Sequence, residues 1–142
     1  MSKLVIIDDD PIDHFLLQHI MQDNNTFKET TYAMHGGMVL DYIEENLAYP
    51  DKLPDVIFLD LNMPEFSGWD FLDGFQQLHS GLSKNIKIYI LTSSVRPVDR
   101  TRSKQYPFVS SYINKPLDSD LINQIGPGTI LLNQTGEALN IG

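Results

Sequence analysis

Apolar and polar positions alternate along the chain in a repeating order: a short apolar run, a polar or acidic break, then a segment with helical spacing. Residues 3–7 (Lys-Leu-Val-Ile-Ile) read as a β-branched strand stopped by Asp8, Asp9 and Asp10. Asp10 and Pro11 form a helix start, with Asp as N-cap and Pro in the first helical position. Ile12, Phe15, Leu16, His19 and Ile20 then recur at the spacing of one helix face. The order repeats with a strand over 30–34, a turn at 35–37, and a helix over 38–47 that turns Val39, Leu40 and Ile43 inward. Prolines make 49–54 a loop. Residues 55–61 are the clearest core strand, followed by a helix over about 68–78 with Phe71, Leu72, Phe75 and Leu78 on one face. A strand over 86–91 leads into Thr92, and a helix over about 97–105 follows. A strand over 109–113 precedes Lys115-Pro116, and 118–125 suit a short last helix.

Five strands alternating with five helices predict an α/β fold: a doubly wound, five-stranded parallel sheet with helices on both faces, joined by right-handed crossovers. Such sheets bind ligands beyond the carboxyl ends of their strands, near the point where strand order reverses. The residues at those ends are Asp8, Asp9 and Asp10, then Asp60, Thr92 and Lys115. Clustered carboxylates repel and raise one another's pKa unless a cation relieves them, and oxygen donors favour a hard ion such as Mg²⁺. An ammonium and a hydroxyl beside them suit a phosphoryl group in transfer, with Asp60 as the carboxylate nucleophile. The competing reading of Asp8–Asp10 is an exposed turn with a helix cap, and Asp10 fits the cap better than a ligand role.

A length of 142 residues allows one domain with a proper core, and 42% hydrophobic with 20% charged residues is a globular composition. With no cysteine there is no disulfide and no thiolate metal site. A formal charge of −9 disfavours nucleic acid as the main ligand, since phosphate backbones are bound by basic patches. No apolar stretch approaches the roughly 20 residues needed to cross a membrane, and the first residues lack a signal-peptide pattern. A soluble, cytoplasmic protein is expected, with no nucleic acid or membrane partner.

The strand-end segments closely resemble the response regulator receiver (CheY-like) family. The matching residues are Val5-Ile6-Ile7-Asp8-Asp9-Asp10, Ile57-Phe58-Leu59-Asp60-Leu61-Asn62-Met63-Pro64 with Gly68, Ile90-Leu91-Thr92-Ser93, and Tyr112-Ile113-Asn114-Lys115-Pro116. The resemblance covers residues 3 to about 125 and implies a stand-alone receiver of flavodoxin-like fold over 1–125. Residues 126–142 would be an extension of uncertain structure, with no output domain. It further implies that Asp60 is the phosphoacceptor and that Asp9, Asp8 (largely through water), Asp60 and the backbone carbonyl of Asn62 surround Mg²⁺. Thr92 and Lys115 would contact the phosphoryl group, Thr92 and Tyr112 would form the switch, and Lys115-Pro116 would be a cis peptide. Asn62 and Ser94 stand where the family tunes phosphate lifetime. The implied partners are a histidine kinase or histidine phosphotransfer protein and an unknown downstream protein. The implied chemistry is confined to the chain's own Asp60, with no separate substrate.

Two other classes compete. A pseudo-receiver would keep the fold as an interaction module without phosphorylation. A Mg²⁺-dependent phosphatase of the haloacid-dehalogenase type needs an Asp two positions after the nucleophile, where this chain has Asn62. The chain departs from the family at Tyr106-Pro107-Phe108, where Pro107 should end the fourth helix. Arg96, Arg100, Arg102 and Lys104 lie in the same region and read equally as a docking face for an acidic partner or as a solvated helix face. Beyond Gly126-Pro127-Gly128, residues 129–133 could add a strand and 134–136 a turn, or the segment could be a flexible tail.

Overall fold

The computed structural model describes residues 2–22 and 24–125, and the backbone alone of 130–132 and 138–140. Five strands form one parallel sheet: β1 (Lys3–Ile7), β2 (Glu29–Ala33), β3 (Val56–Leu59), β4 (Lys87–Thr92) and β5 (Val109–Asn114), in the order β2-β1-β3-β4-β5. The helices are α1 (Pro11–Gln22), α2 (Gly36–Glu45), α3 (Gly68–Leu78), α4 (Pro97–Ser103) and α5 (Ser119–Gln124). This is the doubly wound α/β fold expected from the alternation.

Strand pleating divides the core in two. Leu4, Ile6, Val56, Phe58, Tyr89 and Leu91 point to one face, where Leu17 and Met21 of α1 and Ile122 of α5 cover them. Ile7, Ile57, Leu59, Ile88 and Ile90 point to the other, under Ile43 of α2 and Phe71, Leu72 and Phe75 of α3. Every residue of β3 is buried, as a central parallel strand requires. Truncating Phe71 or Phe75 to Ala would cost about 3–5 kcal/mol.

Local signals set the helix starts. The Asp10 side chain accepts from the Ile12 amide at 2.9 Å, capping α1. Ser67 and Asp70 form a reciprocal capping box at α3, and Asp118 caps α5. Residues 35–37 are not a free turn: His35 caps α2 through Nδ1, and Gly36 and Gly37 already belong to the helix. α4 stops at Ser103, short of residue 105 and ahead of Pro107.

The rotation of α1 is settled by the structure. The structure buries His14, Leu17 and Met21, while Ile12, Phe15 and Leu16 of the apolar set noted at helical spacing are 66%, 58% and 53% exposed. The helix carries two apolar stripes, and polar contacts of its first turn select between them. His14 Nε2 donates to the Asp8 carbonyl at 2.6 Å, and Asp13 pairs with Lys115, which turns the Leu17 stripe onto the sheet.

At the far end, β6 (Ile130–Leu132) pairs antiparallel with β7 (Ala138–Asn140), so the strand expected near 129–133 forms and gains a partner. The expected turn at 134–136 and the helix-ending role of Gly126-Pro127-Gly128 lie outside the described residues. Among the described residues no helix is long and apolar enough to cross a membrane.

Candidate functional site

Strand order reverses between β2-β1 and β3-β4-β5, and the acids collect at that reversal. Hydrogen bonds continue the sheet just past its strand ends and hold the polar residues there. The Asp8 amide donates to Ala33 O (3.0 Å), the Asp60 amide to Ile7 O (3.0 Å) and the Lys115 amide to Thr92 O (2.9 Å). The Lys115–Pro116 peptide is cis.

Asp8, Asp9 and Asp60 each offer one carboxylate oxygen, all within 4.8 Å of one another. Lys115 Nζ lies 2.9 Å from Asp8 Oδ2 and 3.7 Å from Asp60 Oδ1. Its shortest contact, 2.6 Å, is to Asp13 Oδ2 in the first turn of α1. Asp8 Oδ1 also accepts from the Asp10 amide at 2.9 Å.

These surroundings move the proton affinities. Burial pushes the Asp60 carboxyl up to about 6; Lys115 opposes this, Asp8 adds to it, and the amides of Asn62 and Leu61 offset part. Burial likewise raises Asp8, against the Asp10 amide and Lys115. Asp13 moves the other way: burial favours its neutral form, but hydrogen bonding by Lys115 and Asp8 outweighs that and lowers it. Burial disfavours the charged form of Lys115, yet Asp13, Asp8 and Asp60 together raise it. A buried carboxylate held above its usual range beside two others, with oxygen donors only, suits a hard divalent cation, so this donor set fits Mg²⁺. Asp8, Asp9 and Asp60 would hold the ion, with the Asn62 carbonyl in the loop that follows Asp60.

Thr92 ends β4 fully buried, and its hydroxyl oxygen accepts from the Ser94 amide at 3.1 Å. Ser94 is the hub of the β4–α4 loop. Its Oγ donates to the buried Asp99 carboxylate (2.5 Å), and its carbonyl accepts from Asn114 Nδ2 (2.6 Å) and the Tyr112 hydroxyl (3.4 Å). Arg100 of α4 donates to Asn114 Oδ1 at 3.1 Å and stacks its guanidinium 4.6 Å from the Tyr112 ring centroid. Tyr112 is thereby buried against the loop that begins at Thr92.

The structure brings the predicted residues Asp8, Asp9, Asp60 and Lys115 together and ties Thr92 to Tyr112 through one loop. The sequence reading missed Asp13 and Asp99, gave Arg100 only as part of a docking or solvated helix face, and quoted Asn114 only within the motif around Lys115. Asp13 had a usable signal: it lies four residues before Leu17, so a helix burying Leu17 carries Asp13 on the same side. Of the basic residues near α4, Arg100 faces Tyr112, while Arg102 stacks 4.3 Å from the centroid of Trp69.

The family model described as "Response regulator receiver domain" matches residues 4–125. Among solved structures, a two-component response regulator from Cytophaga hutchinsonii is 28% identical, with a TM-score of 0.76 over 87% of this chain and 92% of that one. The chemotaxis protein CheY4 of Vibrio cholerae is 25% identical, with a TM-score of 0.65 over 84% and 91% of the two chains. The sensor histidine kinase CheAY of Helicobacter pylori is 26% identical over 130 residues, which are 91% of this chain and 15% of the kinase. The chain thus spans a small part of that relative's length.

Proposed function

The chain belongs to the response regulator receiver domain family of two-component systems, and on that premise we propose that it is a phosphoacceptor switch modified on Asp60. The observation that carries this reading is the convergence of three carboxylates within 4.8 Å, with Lys115 Nζ 3.7 Å from Asp60. In the reaction, an Asp60 oxygen attacks the phosphorus of a phosphohistidine on a histidine kinase or phosphotransfer protein. The new P–O bond forms as the P–N bond breaks, and the imidazole nitrogen keeps the electron pair and takes up a proton. Mg²⁺ held by Asp8, Asp9 and Asp60 would supply positive charge against the phosphoryl oxygens. Lys115 adds a second cation, and Thr92 a hydroxyl donor. Later attack by water on the acyl phosphate releases phosphate and restores Asp60, so the chemistry stays on the chain's own side chain.

Thr92 and Tyr112 form the readout. If the Thr92 hydroxyl turns to the phosphoryl group, it releases the Ser94 amide. Ser94 then shifts with its contacts to Tyr112, Asn114 and Asp99, and so moves α4. The exposed Ile12, Phe15 and Leu16 lie on α1, whose Asp13 reaches the site, so they offer an apolar face for a helix bearing the donor histidine. In this reading residues 1–125 are the switching unit and 126–142 an extension, acting in the cytoplasm on a downstream protein.

The test is phosphoryl addition from acetyl phosphate with Mg²⁺, followed by intact mass. One phosphoryl group is expected, and none for Asp60→Asn or without Mg²⁺. A folded protein that gains none from acetyl phosphate or from a panel of histidine kinases would be a silent interaction module. Turnover of generic phosphomonoesters would make it a phosphatase.

A further inference from the structure

Lys115 carries three ammonium protons, and the distances around it show how they are committed. Asp13 holds the shortest contact at 2.6 Å and Asp8 the next at 2.9 Å, while Asp60 lies beyond hydrogen-bond range at 3.7 Å. Asp13 does not belong to the carboxylate group suited to an ion, which comprises Asp8, Asp9 and Asp60 among the described residues. It reaches in from the first turn of α1 and touches the site through the cation and through Asp8.

The geometry points to Asp13 as the positioning residue of the phosphoacceptor site, which holds the Lys115 ammonium toward α1, bonded to Asp8 at 2.9 Å, and keeps it from closing on Asp60 at 3.7 Å. The physical reason is competition for a single cation. Side chains of Asp8 and Asp60 are only 3% and 8% exposed, so an ammonium released from Asp13 would keep Asp8 and close the remaining gap to Asp60, where attraction is least screened. There it would tie up the Asp60 oxygen that must attack phosphorus, and it would occupy the field that draws Mg²⁺ to the same carboxylates. Held by Asp13, it stays within reach of an incoming phosphoryl oxygen without engaging the nucleophile. The rest of α1 supports this placement. Asp13 is a quarter exposed, His14 beside it is buried under the Asp8 carbonyl, and Leu17 one turn later is in the core. The carboxylate is therefore fixed at the edge of the site by the packing of its own helix.

This inference rests on the phosphoacceptor reading, and its test separates the two. Five proteins are compared: the natural chain, Asp13→Asn, Asp13→Glu, Lys115→Met and the double variant Asp13→Asn with Lys115→Met. Mg²⁺ affinity is read from amide NMR shifts in all five, and the rate of phosphoryl addition from acetyl phosphate at saturating Mg²⁺ in the first three. Asp13→Asn is expected to weaken Mg²⁺ binding about fivefold and slow phosphoryl addition about tenfold, the scale of one charge-assisted contact. In the Lys115→Met background the same substitution should change Mg²⁺ affinity less than twofold, because the cation it controls is gone. Asp13→Glu, which restores a carboxylate, should recover part of both losses. An equal loss of Mg²⁺ affinity in both backgrounds would show a general charge or folding effect and overturn the inference, as would loading of Asp13→Asn at the natural rate. Failure of the natural chain itself to gain a phosphoryl group would instead overturn the underlying reading.

Discussion

Gly68 packs so tightly on Asp60 that a Cβ at position 68 would stand 2.4 Å from the Asp60 carbonyl oxygen and 2.8 Å from Leu61 Cα. Both contacts are backbone, so neither can swing aside. The first residue of α3 and Asp60 thus fit each other, with the Gly68 amide donating to Leu61 O at 3.0 Å.

Gly68→Ala must therefore displace the helix or the strand end. A loss of about 1–3 kcal/mol in urea unfolding is expected, together with slower phosphoryl addition. Gly81→Ala is the control: its nearest neighbour is Leu47 Cδ1 at 3.6 Å, and its stability should stay within about 0.5 kcal/mol of the natural chain. Equal stabilities for the two variants would refute the close-packing argument.

Asp60 should make the metal-free fold less stable near neutrality. Its folded pKa of about 6 lies above the ordinary 3.8, so the folded state binds this proton more tightly than the unfolded one. The stabilising contribution is complete below 3.8 and is lost as pH rises through about 6. Asp60→Asn should thus stabilise the Mg²⁺-free protein at pH 8 by up to about 3 kcal/mol, with the gain roughly halved at pH 5. Urea unfolding at both pH values measures this, and a pH-independent difference would contradict it.

Asp9 is the acid whose loss should separate metal binding from stability. It is half-buried and takes no part in the Lys115 ion pairs, which go to Asp8, Asp13 and Asp60. Asp9→Asn should leave urea unfolding within about 0.5 kcal/mol while weakening Mg²⁺ at least about tenfold. Chelation of Mg²⁺ should stop phosphoryl addition to the natural chain. Unchanged Mg²⁺ affinity in Asp9→Asn would remove this residue from the ion's ligands.

Ser94→Ala should leave the buried Asp99 carboxylate without the hydroxyl that meets it at 2.5 Å. A loss of about 1–3 kcal/mol is expected. Because the pair acts together, Ser94→Ala combined with Asp99→Ala should cost less than the two single changes added. Full additivity in a double-mutant cycle would show that the pair does not couple.

Much of this architecture was legible in the residue pattern because parallel sheets bury both faces of their strands. Continuous apolar runs such as Ile57-Phe58-Leu59 marked β3, and the polar residue that ended each run marked the site. Gly68 and Leu78 bounded α3 as expected because its capping box and its Phe71–Phe75 face are local signals. The face of α1 was not legible. Its two apolar stripes satisfy the same periodicity, so spacing alone did not say which stripe is buried or that Asp13 reaches the site.

The sequence by itself determined the five strand–helix units and the polar residues at their ends, since both follow from side-chain spacing and caps within a few residues of each other. Only the tertiary structure decided which cation meets which acid. Lys115 and Asp13 are 102 positions apart, and they meet because the fold packs α1 and the end of β5 on one face of the sheet, with Leu17 and Ile113 in one core cluster. The same packing chose the rotation of α1 and wired Thr92 through Ser94 to Tyr112. No periodicity encodes those choices, because they depend on contacts between elements and not on spacing within them.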